Sequence, residues 1–276
     1  MKSNKAATRW TKIIVGTVLL IGGLITILPF IWMILSSFKT NAEIVSLNPK
    51  LLPAEWSFQN FTDLFVKMNF GVYLKNTLII TAFSFLGLFF NAMAGYGFAK
   101  YKFKGKNNLF IMVLATMMIP GQVTMIPVYL ILNSVGLTNT LAGIVLPGLA
   151  GAFGIFLFRQ FMSTISDELL EAARLDGASE FYIFTRIILP LSRPILAVQG
   201  ILTFIAGWNS FIWPLIIASD EKYYTLSVGL QLLQGQHATN YALQMAGATF
   251  MVVPIILIFM IFQKYILQGF NVSGLK

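Results

Sequence analysis

Side chains able to do acid–base, nucleophilic or metal chemistry are few in this chain of 276 residues. It has no cysteine, one histidine and ten acidic residues. It contains no H-E-x-x-H or G-x-S-x-G pattern, and its nearest match to a phosphate-binding loop, Gly105-Lys106-Asn107, lacks the first glycine and the final Ser or Thr. The acidic residues all lie between apolar runs, where they cannot form a buried pair within a run. We therefore expect no catalytic, cofactor-binding or metal-binding residues.

The composition indicates that lipid is the main solvent of the chain. Hydrophobic residues make up 57% of the sequence, charged residues make up 11%, and the mean hydropathy is +0.78. Soluble domains carry about 25% charged residues. The formal net charge of +9 falls in short clusters between apolar runs, and no basic face is interleaved with aromatic residues. This pattern is typical of an integral membrane protein and argues against a nucleic-acid partner.

Charge-free intervals predict an all-α membrane protein with six transmembrane helices, because a helix needs about 20 apolar residues to cross the hydrocarbon. The intervals are Ile13–Phe38, Asn76–Ala99, Asn107–Phe158, Pro194–Ser219 and Tyr223–Gln263. The third interval is too long for one helix and is interrupted at Asn133–Asn139, so it is predicted to hold two spans joined by a tight turn. The predicted divisions are an N-terminal segment (1–12), the first helix (13–38), an outer loop (39–71), a five-helix core domain (72–265) and a C-terminal segment (266–276).

The basic residues predict the orientation of these spans. Fourteen lie on one side, namely Lys2, Lys5, Arg9, Lys12, Lys100, Lys102, Lys104, Lys106, Arg159, Arg174, Arg186, Arg193, Lys264 and Lys276. Five lie on the other, namely Lys39, Lys50, Lys67, Lys75 and Lys222. Because Lys and Arg collect on the cytoplasmic side of a membrane, both termini are predicted to be cytoplasmic.

Half of the acidic residues lie in the inner loop between spans four and five, over residues 162–193. Ser166 is a predicted N-cap, and the acidic residues after it suit the positive end of a helix dipole. Gly177 is predicted to end that helix, and Ser179 to cap a second helix that ends before Pro190. So short an element does not fold alone. It is ordered either by the chain's own helices or by a partner.

The loop resembles the signature of the integral-membrane subunits of binding-protein-dependent ABC importers. That signature reads E-A-A, three residues, G, nine residues and I-x-L-P. Here Glu171-Ala172-Ala173 is followed at the same spacing by Gly177, and then by Ile187 and Leu189-Pro190. Seven fixed identities have a chance on the order of one in a hundred million at any start position.

Weaker stretches resemble the carbohydrate branch of that family, the MalFG type, and its second permease in particular. They are Leu28-Pro29-Phe30, Ser37-Phe38-Lys39, residues 56–61, residues 95–99 and residues 208–215. The resemblance implies the type I ABC importer permease fold, in which a cytoplasmic coupling helix docks in a cleft of an ATPase. It further implies a sugar importer, for an oligosaccharide or glycoside, in a prokaryotic cell membrane. The implied partners are a MalF-like permease, forming a heterodimer, an ABC ATPase dimer that holds ATP and Mg²⁺, and an extracytoplasmic solute-binding protein.

The resemblance also assigns roles within the loop. Glu171 would engage a basic group of the ATPase, Ala172 and Ala173 would permit close approach, and Gly177 would allow the turn. The predicted ATPase-coupling residues are Glu171, Ala172, Ala173, Arg174, Asp176 and Gly177, and the residues predicted to support the loop are Ile187, Leu189 and Pro190.

Neutral polar residues within the predicted spans are the candidates for a substrate path, namely Asn91, Gln122 and Asn209. Pro214 removes a hydrogen bond near Asn209 and frees a carbonyl, but a helix-to-helix hydrogen bond accounts for Asn209 equally well. The alternative function is an ion-coupled carrier or channel that needs no ATPase. Such carriers keep an ionisable residue within a span, and the predicted spans contain none.

Overall fold

The computed structural model describes residues 3–236 and 239–271, with side chains over 10–235 and 239–263. Every regular element in those ranges is helical. The α-helices are α1 (Ser3–Ser36), α2 (Asn41–Ile44), α3 (Gln59–Lys67), α4 (Phe70–Lys100), α5 (Lys106–Thr116), α6 (Gly121–Ser134), α7 (Leu141–Val145), α8 (Ala152–Met162), α9 (Asp167–Leu175), α10 (Glu180–Tyr182), α11 (Leu189–Leu191), α12 (Arg193–Trp208), α13 (Ile212–Ile217), α14 (Leu226–Gln236) and α15 (Tyr241–Asn271). A π-helical turn spans Ile183–Ile188, and 3-10 turns span Leu146–Gly148 and Glu221–Tyr223.

Five segments within the described residues are long and apolar enough to cross a membrane. They are Trp10–Ser36, Phe70–Lys100, Leu141–Met162, Arg193–Ile217 and Tyr241–Gln263. The pair α5 and α6 supplies a sixth if it is counted as one bent span. The predicted all-α membrane architecture is therefore confirmed, with five spans, or the predicted six if the bent pair is one span.

The third span has an unexpected shape. The sequence predicts one apolar helix before the turn at Asn133–Asn139, but α5 and α6 meet at an angle of 100°. Pro120 lies directly before α6, has no N–H to donate, and disfavours helical backbone at the preceding residue. The chain therefore bends where a continuous helix was expected.

The predicted tight turn after this span is present, and its last residue, Asn139, is fixed by side-chain hydrogen bonds. Gly136 and Asn139 adopt positive φ angles of 70° and 55°. The Asn139 side chain accepts the N–H groups of Ser219 and Asp220, at 3.0 Å each, and donates to the Asp220 carboxylate at 2.8 Å. The turn is thus tied to the segment that follows α13.

The chain forms two compact units. The first contains the residues up to Asn69 together with Leu230–Val252, and the second contains Phe70–Gly229 together with the residues from Val253 onwards. In the first unit, Lys39 is only 2% exposed, and its ammonium group donates to the Lys50 carbonyl at 2.6 Å and lies 4.2 Å from the Trp32 ring centroid. These contacts hold the chain where it leaves α1.

The second unit is built on α4, which packs against both α8 and α12. The approach of α4 to α8 depends on Gly95, because a Cβ atom at that position would lie 2.4 Å from the Phe158 Cβ and 2.9 Å from the Arg159 nitrogen. Nearby, the Asn91 carbonyl oxygen accepts the N–H of Gly151 at 2.9 Å, just before α8 begins. Small residues and one amide thus set the spacing of these two helices.

Candidate functional site

The loop between α8 and α12 has the caps that its sequence predicts. The Ser166 hydroxyl accepts the N–H of Glu168 at 3.2 Å and starts α9. At the other end Gly177 has φ +81°, its N–H donates to the Arg174 carbonyl, and the Ala178 N–H donates to the Ala173 carbonyl, both at 3.0 Å. This pair of bonds is a Schellman motif.

The second helix of the loop differs from its prediction. Ser179 caps it as expected, with its hydroxyl accepting the Tyr182 N–H at 3.3 Å. The prediction that it ends before Pro190 is wrong, because the chain continues through the π-helical turn into α11, which contains Pro190. In an α-helix, Pro190 has no N–H to donate, so the carbonyl of Arg186 would lack its hydrogen-bond donor. The wider turn that precedes the proline lets the helical path continue.

The two faces of α9 have opposite surroundings. Leu170 and Ala173 are 2% and 8% exposed and belong to a core cluster that includes residues of α4, α8 and the π-helical turn. Glu171 and Ala172 are exposed, and Leu175 is 90% exposed. One face therefore anchors the helix to its own chain, while the other is open to a partner.

The predicted coupling residues consequently divide into two groups. Glu171, Ala172, Asp176 and Gly177 are exposed, whereas Ala173 packs inside the chain. Arg174 is half-exposed and engaged within the loop, because its Nε donates to a Glu180 carboxylate oxygen at 2.7 Å and its Nη2 donates to the other at 3.2 Å. Among the supporting residues, Ile187 and Leu189 pack against the core cluster, and Pro190 is exposed.

Two contacts that the sequence analysis missed join this loop to the end of α4. Lys100, with a side chain only 3% exposed, forms an ion pair with Asp167 at 2.6 Å and also donates to the Ile165 carbonyl. The Tyr101 hydroxyl donates to the Glu180 carboxylate at 2.5 Å. No local signal marks these pairs, because more than sixty residues separate the partners.

The charges of these groups are held in place by their neighbours. The hydrogen bond from Lys100 lowers the pKa of the Asp167 carboxyl. Hydrogen bonds from Arg174, and then from Tyr101, lower the pKa of the Glu180 carboxyl. Desolvation, and then the bond to Glu180, raises the pKa of the Tyr101 hydroxyl. The carboxyl groups of Asp167 and Glu180 are therefore ionised at neutral pH.

A cavity of about 400 Å³ lies in the second unit and is lined by α4, α6, α12 and the segments around α7 and α13. Its polar lining consists of Ser84, Asn91, Thr124, Thr203, Ser210 and Trp213 together with glycine backbone, and none of the described residues that line it carries an ionisable side chain. Of the three predicted path residues, Asn91 lines this cavity. Gln122 and Asn209 are exposed and lie outside its lining. The missed residues Thr203 and Ser210 are seven positions apart, a helical spacing that could have indicated a shared face.

The carbonyl that Pro214 was predicted to free is that of Ser210, four residues earlier. The chain breaks there between α12 and α13, and the buried Thr225 hydroxyl donates to this carbonyl at 2.9 Å. Asn209 itself ends α12, where its N–H donates to the Ile205 carbonyl at 3.0 Å. The Ser210 carbonyl at the break is therefore satisfied by Thr225. Ser210 itself lines the cavity.

Comparison with known proteins identifies the relatives of this chain. Residues 87–272 match the family described as "Binding-protein-dependent transport system inner membrane component". The arabinooligosaccharide transport system permease AraQ of Bacillus subtilis is 38% identical, over 92% of this chain and 92% of its own length. The lactose transport system permease LacG of Rhizobium radiobacter is 30% identical, over 95% of each. A chain of a bacterial ABC transporter that imports alginate superposes with a TM-score of 0.83 at 26% identity, covering 94% of this chain and 98% of that one.

Proposed function

Because this chain belongs to the family of binding-protein-dependent transport system inner membrane components, we propose that it is the permease subunit of an ATP-driven importer of neutral oligosaccharides or glycosides. It forms part of the translocation path and receives energy through the loop around α9. The observation that carries this function is the arrangement of α9, which presents one open face and anchors the other to the helices that line the cavity.

The open face of α9 specifies the kind of cleft that would receive it. Leu169 and Leu175 are exposed apolar residues on either side of Ala172, whose small side chain permits close approach. Glu171 and Asp176 add negative charge beside them. A complementary cleft is apolar with a basic rim, which is the surface expected of the ATPase partner. ATP and Mg²⁺ would be held by that partner.

The charge distribution supports the orientation. With the fourteen basic residues on the cytoplasmic side, the loop over residues 162–193 reaches the ATPase dimer and residues 39–71 face the solute-binding protein. None of the most apolar stretch of α1 is buried within the chain. That surface is free for lipid or for the MalF-like permease of the proposed heterodimer in the prokaryotic cell membrane.

The cavity favours a neutral substrate. Its lining offers amide, hydroxyl and indole groups without any ionisable side chain. Desolvating a charged substrate against such a lining would be costly because no counter-charge is present. The names of AraQ and LacG state arabinooligosaccharides and lactose, which are neutral sugars, whereas the transporter that superposes on this chain imports the acidic polysaccharide alginate. The uncharged lining is the reason for proposing the neutral class here.

An ion-coupled carrier is not favoured by the helical spans. The Lys, Arg, Asp and Glu residues within them all lie near the span ends, namely Lys12, Lys75, Lys100, Lys106, Arg159 and Arg193. Ion-coupled carriers use such groups at mid-membrane. Energy is therefore expected to enter through the polar loop.

The test is affinity purification of the chain from detergent-solubilised membranes, followed by identification of the proteins that co-purify. The wild-type chain should bring down a second six-span permease and an ATPase, and Glu171→Lys should weaken ATPase recovery about tenfold or more, since reversing a partly buried interfacial charge costs several kcal/mol. Glu55→Lys makes the same charge change at an exposed site in the outer loop and is the matched control. Recovery of the wild-type chain alone would refute the proposed function.

A further inference from the structure

The end of α4 holds both helices of the loop through two consecutive residues. Lys100 pairs with Asp167, the first residue of α9, and Tyr101 donates to Glu180, the first residue of α10. Arg174 braces α9 against α10 through its paired bonds to Glu180. Each loop helix is thus fixed at its N-terminus to the same short segment.

These contacts differ from ordinary surface ion pairs. Exposed pairs contribute little because water competes for both partners. The Lys100 side chain is 3% exposed and has a second acceptor in the Ile165 carbonyl, so its direction is fixed. The Tyr101 ring lies with its centroid 5.4 Å from that of Tyr96, in an edge-on arrangement. Both groups therefore make polar contacts from an ordered, partly buried base.

The same helix reaches the cavity. α4 contains no proline and contributes Ser84 and Asn91 to the cavity wall. The covalent chain joins the loop only to α8 and, through the π-helical turn, to α12. The core cluster already packs Leu170 and Ala173 of the loop near α4. Lys100 and Tyr101 add polar contacts that fix both loop helices to this cavity-lining helix.

We propose that Lys100 and Tyr101 are positioning residues that make α4 move with the α9–α10 loop as one body. This inference rests on the proposed function, since it assigns the route by which force at the loop reaches the cavity. Displacement of α9 by a closing ATPase then shifts the wall containing Ser84 and Asn91. Without the two contacts, only the apolar packing of the core cluster would connect α4 to the loop, and the distance between them would change when the loop is displaced.

The experiment measures the distance between the loop and α4 in the purified complex with its ATPase. The chain has no cysteine, so cysteines introduced at the exposed positions Phe181 and Met93 can carry spin labels, with partner chains made cysteine-free. The interlabel distance is recorded without nucleotide and with ATP plus vanadate. In the otherwise wild-type chain the distance should be the same in both states.

The test variant combines Lys100→Gln, which removes the positive charge and shortens the side chain, with Tyr101→Phe, which removes the hydroxyl donor and retains the ring. The interlabel distance should then change between the states by about 1–2 Å, the usual size of a helix shift, while ATPase recovery stays within twofold of wild type. Lys104→Gln removes a charge from the same basic cluster without a contact to the loop and should behave as wild type. If the combined variant fails to assemble, Asp167→Asn, at a 72% exposed side chain, together with Tyr101→Phe makes the same test.

Each result is decisive. An assembled complex of the variant with an unchanged interlabel distance would overturn the positioning role of Lys100 and Tyr101 and leave the importer function intact. A wild-type interlabel distance that itself changes by about 1–2 Å or more would also overturn the proposal. A wild-type chain that recovers no ATPase would overturn the proposed function together with the positioning role of Lys100 and Tyr101.

Discussion

Replacing Gly95 by alanine tests the close approach of α4 and α8 on which the second unit depends. The new Cβ would lie 2.4 Å from the Phe158 Cβ and 2.9 Å from the Arg159 nitrogen, atoms that cannot rotate away. Overpacking costs about 1–3 kcal/mol, and this geometry points to the upper end of that range. Alanine gives back about 1 kcal/mol of helix propensity. The net loss of unfolding free energy is therefore about 2 kcal/mol, obtained as the difference between these terms.

Gly97→Ala supplies the control, because it lies in the same helix and has no atom within 4 Å of its added Cβ. The assay is thermal unfolding of the detergent-solubilised chain, followed by tryptophan fluorescence. At about 2–4 °C per kcal/mol, Gly95→Ala should lower Tm by about 4–8 °C and Gly97→Ala should raise it by about 2–4 °C. If both substitutions raise Tm equally, α4 and α8 do not meet as described.

Three further predictions concern the loop between α8 and α12 and the break between α12 and α13. Gly177→Ala forces a side chain into the left-handed region at φ +81° and should destabilise the turn by about 1–2 kcal/mol, seen as a lower Tm and weaker ATPase recovery, with Gly177→Asn less severe. Thr225→Val removes the hydroxyl donor to the Ser210 carbonyl and should cost about 1–3 kcal/mol in thermal unfolding, whereas an unchanged Tm would contradict that bond. Glu180 has a pKa below its ordinary 4.5 in the folded chain, so its contribution to stability is full above pH 4.5 and is lost as pH falls through the lower folded value. The Tm difference between wild type and Glu180→Gln should therefore close on acidification, and a difference independent of pH would refute that assignment.

The local features of the loop were predictable because they depend on neighbouring residues. Ser166, Gly177 and Ser179 act within a few positions of themselves, and all three have the predicted capping roles. The end at Pro190 was predicted wrongly, because a proline breaks an α-helix but is tolerated after a wider π-helical turn. Which alanine faced outward was likewise beyond a local argument, since Ala172 and Ala173 differ only in what packs against them.

The residues that line the cavity were likewise predictable only in part. Asn91 was identified as a polar residue inside a span, and it does line the cavity, but Gln122 and Asn209 satisfied the same criterion and do not. Polarity within an apolar run is a property of one position. Lining a cavity requires that α4, α6 and α12 turn their polar faces toward one another.

The sequence by itself determined that this chain is a helical membrane protein, where most of its spans lie, and that its polar loop carries an importer signature. Those properties follow from hydropathy, charge and residue spacing. Each depends on residues that are close together in the sequence, so it can be inferred without knowing how the helices pack. Only the tertiary structure decided that α5 and α6 bend apart, that Ala173 faces inward, and that Lys100 and Tyr101 hold the loop. These features depend on contacts between residues far apart in sequence, whose energies exist only once the helices have packed.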